Sequence, residues 1–343
     1  MRDKRWLWIA LPAVVLVVAV VSAASSGSGS HASTTHASSP PHQSSARAST
    51  TGRAGAPQLR AVSAQTIGSL PAEVQDAAVA PLGGHRLVLL GGLDAVGAST
   101  PEITAIDGAS AASHGTLPNA QHDAQAARLG RYVYVFGGGE FSTYDHILRY
   151  DPATGSVAQV GALPRPASDV AVAALGGTAY IVGGFDGTDF LDTIVAWRPG
   201  GEAQIVGHLP TGLRYSAVTS YGDSLIIAGG TVPSGVSEDV FRFDPAGGSL
   251  TRIGRLPAPL THASAAVLDG RVVIVGGRHL VSGEQTATIL AIDPRTGFVR
   301  RAGHLPQPLS DAAVATIGSH VIAAGGENAG AARATILALT ASP

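Results

Sequence analysis

Six Gly-Gly pairs punctuate the chain at 91–92, 137–138, 183–184, 229–230, 276–277 and 325–326, each closing an apolar run. Their spacings are 46, 46, 46, 47 and 49 residues. A Leu-Pro dipeptide keeps step with them at 70–71, 117–118, 163–164, 209–210, 256–257 and 305–306. Two markers held in phase over six periods demand one structural unit used six times. A unit of this length, built of short apolar runs and tight turns, points to the blades of a β-propeller.

Each period parses into four strands. In the third, "DVAVAAL" (169–175) has the small and β-branched residues of a crowded inner strand, and "GG" turns the chain into "TAYIVGG" (178–184). "DTIVAWRP" (192–199) and "AQIVGHLP" (203–210) follow as the third and fourth strands. The turn between these last two recurs as "DPATG" (151–155), "DPAGG" (244–248) and "DPRTG" (293–297). There Asp closes an Asx-turn, Pro presets φ and Gly takes the left-handed position, so these acids are structural. A composition of 44 Gly, few aromatics and no Cys suits short strands and many turns.

The pattern of Leu-Pro, small inner strand, apolar run ending Gly-Gly, Phe-Asp-Gly, Leu, and an aromatic before the turn resembles the kelch repeat. "GGFDGTDFLDTIVAWRP" (183–199) carries the resemblance most fully, and weaker copies span residues 59–343. The resemblance implies an all-β fold, a six-bladed β-propeller of four-stranded kelch-like blades. Two kelch positions depart from the pattern. The fourth-strand Trp is replaced by Val157, Ala203, Leu250 and Val299, and the frequent Arg after the Pro by Val74, Gln121, Ala167, Leu213, Leu260 and Leu309. Function tied to a ring of arginines at that position does not carry over. The chain ends on "ATILALTASP" (334–343), a third strand without a fourth, while "RAVSAQTIGSLP" (60–71) is a fourth without predecessors. Residues 61–68 are therefore expected to complete the last blade and close the ring, removing an exposed edge.

Residues 1–24 open with Arg2, Lys4 and Arg5 and continue as an uncharged apolar run over 6–24. This is an export signal long enough to stay as a single membrane-spanning helix; cleavage after "VSAA" and secretion is the alternative. Residues 25–58 are Ser, Thr, Ala, Gly, His and Pro with little to bury, so a disordered linker is expected. The predicted organisation is an anchor (1–24), a linker (25–58) and a monomeric propeller (59–343) outside the cell.

Charge and composition exclude several functions. A formal net charge of −2 argues against nucleic acid. Lys4 is the only lysine, so no Walker-type phosphate loop exists in the repeats. Without Cys there is no thiol nucleophile, disulfide or Cys-ligated zinc. Copper enzymes of the galactose-oxidase kind share the fold but need a Tyr–Cys crosslink. No cofactor, metal motif or catalytic residue is predicted.

Propeller ligands sit over the channel, on the face made by the loops into each inner strand and the loops between second and third strands. The first set places Asp76, Asp123, Asp169, Tyr215, His262 and Asp311 five residues after each repeat's Pro. Capping of their own turns is the expected role; a polar ring for a cation or sugar hydroxyls is the other reading. The second set concentrates Glu140, Phe141, Tyr144, Asp145, Phe185, Asp189 and Phe190 in two neighbouring loops. Arg214 and Tyr215 lie beside them, and His262 and Arg278 further round. Aromatic faces beside carboxylates and Arg suit a cell-surface glycan or a protein partner. The expected function is a non-catalytic binding module, with a carbohydrate isomerase or lyase in the channel as the alternative.

Overall fold

The computed structural model describes residues 61–342, and every regular element among them is a β-strand. The expected anchor and the expected linker lie outside the described residues. Among those described, no helix is long and apolar enough to cross a membrane.

The strands form four-stranded antiparallel sheets taken in chain order, the arrangement of a β-propeller. The third repeat is representative, with strands Ala171–Leu175, Thr178–Val182, Thr193–Trp197 and Gln204–His208 side by side. Ala171 pairs with Val182 and Val182 with Ile194, so consecutive strands stay in tight register. The second strand is buried along its whole length and the fourth is largely exposed, which fits a sheet covered on both faces only near the hub. The Asp-Pro turns behave as their composition requires: Asp151, Asp244 and Asp293 each accept, through Oδ1, the N–H two residues on at 3.0 Å.

Where an aromatic precedes the turn, in three of the repeats, it fills the space between sheets. Trp197 is 1% exposed, and its ring meets Tyr134 and Phe136 of the preceding sheet edge-on at 4.8 and 5.6 Å. Tyr150 and Phe243 are fully buried at the matching positions. Such edge-to-face pairs add about 1 kcal/mol beyond the area they bury.

The Gly-Gly pairs explain why the period is so strict. The second glycine of every pair donates its N–H at 2.8 Å to a carbonyl in the following repeat: Gly92 to Gln121, Gly138 to Ala167, Gly184 to Leu213, Gly230 to Leu260 and Gly277 to Leu309. Gly326 completes the circle by donating to Val74 at 2.8 Å. The first glycine stands so close to the same carbonyl that side chains are excluded. At Gly183, with φ of 62°, a Cβ would lie 2.1 Å from the oxygen of Leu213. The acceptors Val74, Gln121, Ala167, Leu213, Leu260 and Leu309 occupy the positions where kelch repeats often carry Arg. In this chain those residues use their backbone to lock neighbouring sheets together.

The N-terminal strand Val62–Val74 closes the structure as the chain ends suggest. It runs antiparallel to Ala331–Ala341, with Val62 opposite Ala341 and Val74 opposite Arg333. It also pairs in parallel with Val299–His304 at its first two residues, Val62 and Ser63. One strand thus joins the last two four-stranded groups into a single nine-stranded sheet.

Candidate functional site

The six residues that follow each Leu-Pro by the same interval are brought together at one end of the central channel. Asp76, Asp123, Asp169, Tyr215, His262 and Asp311 all have left-handed backbones, with φ between 50° and 58°. That conformation turns each N–H toward the preceding repeat. Asp123 donates to the carbonyl of Asp76, Asp169 to Asp123, Tyr215 to Asp169, His262 to Tyr215, Asp311 to His262 and Asp76 to Asp311, at 2.9–3.2 Å. The hydrogen bonds form a closed circle. Asp and His tolerate positive φ better than most residues, but a residue as bulky as Tyr215 there is unusual. Strained backbone of this kind persists only where its surroundings hold it.

Asp311 and His262 bond within their own turns, to Ser310 Oγ at 2.5 Å and Thr261 Oγ1 at 3.1 Å, and the ring side chains also bond across repeats. Asp76 is hydrogen-bonded to Asp311, and Asp123 to Asp169. Arg214 forms an ion pair with Asp169, the side chain of which is 2% exposed. Arg278 forms ion pairs with Asp311 and Glu327, and its Nε donates to Ser310 Oγ at 3.0 Å. Tyr215 donates its hydroxyl to Asp123 Oδ2 at 3.2 Å, and its ring stacks on His262 with centroids 3.9 Å apart. Two carboxyl pairs, each backed by an arginine, therefore flank a stacked Tyr–His pair.

Burial pushes the Asp76 and Asp123 carboxyls well above the usual carboxylate range, and the neighbouring aspartates push in the same direction. The shift favours the protonated form of both, the form that can donate. Burial also raises the Tyr215 phenol and lowers the His262 imidazole, so these two face the channel uncharged. Beyond the ring, the channel is walled by the small residues of the inner strands, including Ala126, Ala171, Ala173, Ala217, Ala265 and Ala315, around a volume of about 320 Å³. Among the described residues, no three His, Asp or Glu side chains form a cage for a metal ion.

A folded-state pKa above the unfolded value has a definite consequence for stability. Below the unfolded value of about 3.9 both states carry the proton and the advantage is whole. As pH rises from there through the raised folded values, the unfolded chain loses its protons first and stability falls. Melting temperature is accordingly expected to decline from pH 5 towards alkaline pH. The double substitution Asp76→Asn and Asp123→Asn, which suits the left-handed backbone, flattens that decline. A parallel pH profile in the double variant would disprove the assignment.

The loop residues divide sharply. Phe185 and Phe190 meet edge-on at 5.9 Å, and the Arg214 guanidinium lies over both rings at 4.4 and 4.9 Å. They form a shelf that aims Arg214 at Asp169. Tyr144 packs on the buried His146 at 4.9 Å, and its hydroxyl donates to the Ala120 carbonyl at 3.4 Å. Glu140, Asp145 and Asp189 are exposed, and Phe141 is 96% exposed. Asp186 accepts the N–H groups of Thr188 and Asp189 at 2.9 and 2.7 Å and pairs with Arg165, so it shapes its loop. Those backbone bonds lower its pKa, with Arg165 contributing after them.

A family model for the Kelch motif matches residues 166–201, the third repeat from just before its inner strand to the turn after Trp197. Among solved structures, YjhT superposes with a TM-score of 0.70 at 16% identity, covering 79% of this chain and 96% of that one. The third repeat matches the kelch motif, and the fold is that of a β-propeller. No curated protein matches its sequence. At this level of identity the likeness to YjhT speaks for the fold, and the chemistry of the site described above rests on its own residues.

Three features of the site escaped the sequence reading. The pairing of neighbouring aspartates, the inward reach of Arg214 and Arg278, and the role of Phe185 and Phe190 as the support of Arg214 all cross repeat boundaries. One signal was available: Arg214 and Arg278 each adjoin a ring position or a Gly-Gly pair, where the other repeats carry no arginine.

Proposed function

We propose that this chain is an exported, membrane-tethered, six-bladed kelch propeller that binds a neutral, hydroxyl-rich ligand of carbohydrate type at the aspartate-rich end of its channel. The ring of paired carboxyls carries the reading. Neutral Asp76 and Asp123 donate hydrogen bonds, while arginine-paired Asp169 and Asp311 accept them. That mixture matches sugar hydroxyls, which do both. The stacked Tyr215 and His262 add an aromatic edge, and about 320 Å³ is at the lower end of ligand-sized cavities. Because Arg214 and Arg278 are already paired with acids, the site offers no spare positive charge to an anion.

The test is a glycan array probed with the full chain and with Tyr215→Phe and Asp123→Asn. Each substitution removes one hydrogen bond at the ring, so binding to any positive glycan is expected to fall about tenfold. An array without positives, or variants that bind like the parent, would sink the reading. An isomerase or lyase in the channel is the second reading. It is favoured by one observation: Asp123, pushed towards its protonated form by burial, lies beside the arginine-paired Asp169, which places a potential acid against a potential base.

A further inference from the structure

One rim contact is not used by the ring. Ser99, just before the strand Thr100–Asp107, lies beside His122, which immediately precedes ring residue Asp123 in the next repeat. Ser99 Oγ is 2.8 Å from His122 Nδ1, and His122 Nε2 is 3.5 Å from Asp123 Oδ2. Asp123 Oδ2 also accepts the Tyr215 hydroxyl at 3.2 Å. Asp123 Oδ2 faces the Nε2 side of the imidazole, and the tautomer with its proton on Nε2 is the one in which Ser99 can donate to the ring. Nδ1 is then left with a lone pair, and Ser99 donates into it. The His122 side chain is 24% exposed, and burial lowers its pKa, which favours the neutral imidazole with a lone pair free to accept a proton.

A hydroxyl that donates to a neutral imidazole is the nucleophile–base contact of an activated nucleophile. We propose that Ser99 and His122 form a nucleophile–base pair that cleaves carboxylic esters at the channel rim. The ester class is an O-acyl sugar, a choice that rests on the carbohydrate reading of the adjoining ring. Ser99 Oγ bonds to the ester carbonyl carbon as its proton passes to His122 Nδ1. The bond from that carbon to the sugar oxygen breaks, and the sugar hydroxyl leaves with the proton. Water then attacks the acyl-serine with His122 again taking the proton, which returns to Ser99 as the carboxylic acid is released. No oxidant, reductant or metal is required.

The absence of cysteine from the sequence allows a direct test of the pair. In the full chain, a fluorophosphonate probe is expected to label Ser99, as read by peptide mass. The label is absent in Ser99→Ala, and its rate is about 100-fold lower in His122→Gln. Ser99→Cys then introduces a single thiol. At pH 7 its alkylation by iodoacetamide is expected to be about tenfold faster than in Ser99→Cys combined with His122→Gln, because a neighbouring imidazole favours the thiolate. No fluorophosphonate on Ser99, or thiol alkylation indifferent to His122, would overturn the proposal. Neither assay contains a sugar, so its failure is distinct from failure of the glycan array.

Discussion

Deleting residues 61–68 is expected to abolish the cooperative thermal transition of the propeller, although the deletion touches none of the ring side chains. The segment supplies most of the pairing with the last strand, from Val62 opposite Ala341 to Gly68 opposite Ile336. It also carries the parallel pairing to Gly303 and His304 that joins two four-stranded groups. Val62 is 8% exposed and packs in a core with Leu337, Leu339, Val273 and Ile289. The approach is so close that a Cβ on Gly303 would lie 2.0 Å from the Val62 carbonyl. Without the segment, strand Ala331–Ala341 becomes an unpaired edge with part of its core open to water. Lost backbone bonds of about 1 kcal/mol each, together with the uncovered apolar surface, approach the whole stability of an ordinary domain. Thermal circular dichroism and limited proteolysis of the deletion variant check this; a melting temperature within a few degrees of the parent would refute closure by this strand.

The same closure shows which parts of the molecule could be read in advance. Gly183 and Gly184 repeat because a backbone–backbone contact between neighbouring sheets leaves no room for Cβ, and such a constraint is stamped on every copy. Asp151, Asp244 and Asp293 were legible for a similar reason: the Asx-turn is local, and its acceptor and donor lie two residues apart. The first strand could be assigned because the last repeat lacked one.

The site was harder to read because its interactions are not repeated. Arg214 reaches back 45 residues to Asp169, whereas Arg278 reaches forward 33 to Asp311. No period connects the two. Asp at a turn suggests a cap, and Asp76 and Asp123 have the residue type of caps. Their role is set by a left-handed backbone that points their side chains at neighbours from other repeats. Phe185 and Phe190 looked like ligand-stacking aromatics because they are concentrated in one loop. Their faces are covered by the Arg214 guanidinium, a partner that lies beyond the Leu-Pro of the next repeat.

Removing Arg278 is expected to produce the largest effect of any single substitution at the ring. The Arg278 side chain is 15% exposed and sits between Asp311, 2% exposed, and Glu327, 15% exposed. Asp311 is also hydrogen-bonded to Asp76 and accepts Ser310 Oγ at 2.5 Å. Arg278→Ala leaves two carboxylates facing each other with little water to screen them, beside a third carboxyl. Stranding buried charge in this way costs about 3–5 kcal/mol, far more than loss of an exposed pair. For a fold of this size that corresponds to a fall of roughly 10 °C in melting temperature. The sign with pH distinguishes the electrostatic cause from simple loss of packing. Lowering the pH towards 4 protonates the stranded acids and should recover much of the deficit, while an uncharged hole would be indifferent to pH. Combining Arg278→Ala with Asp311→Asn and Glu327→Gln should likewise restore most of the stability at pH 7. A deficit that stays constant from pH 4 to 8 and survives the triple substitution would show that Arg278 matters for its volume and not for its charge.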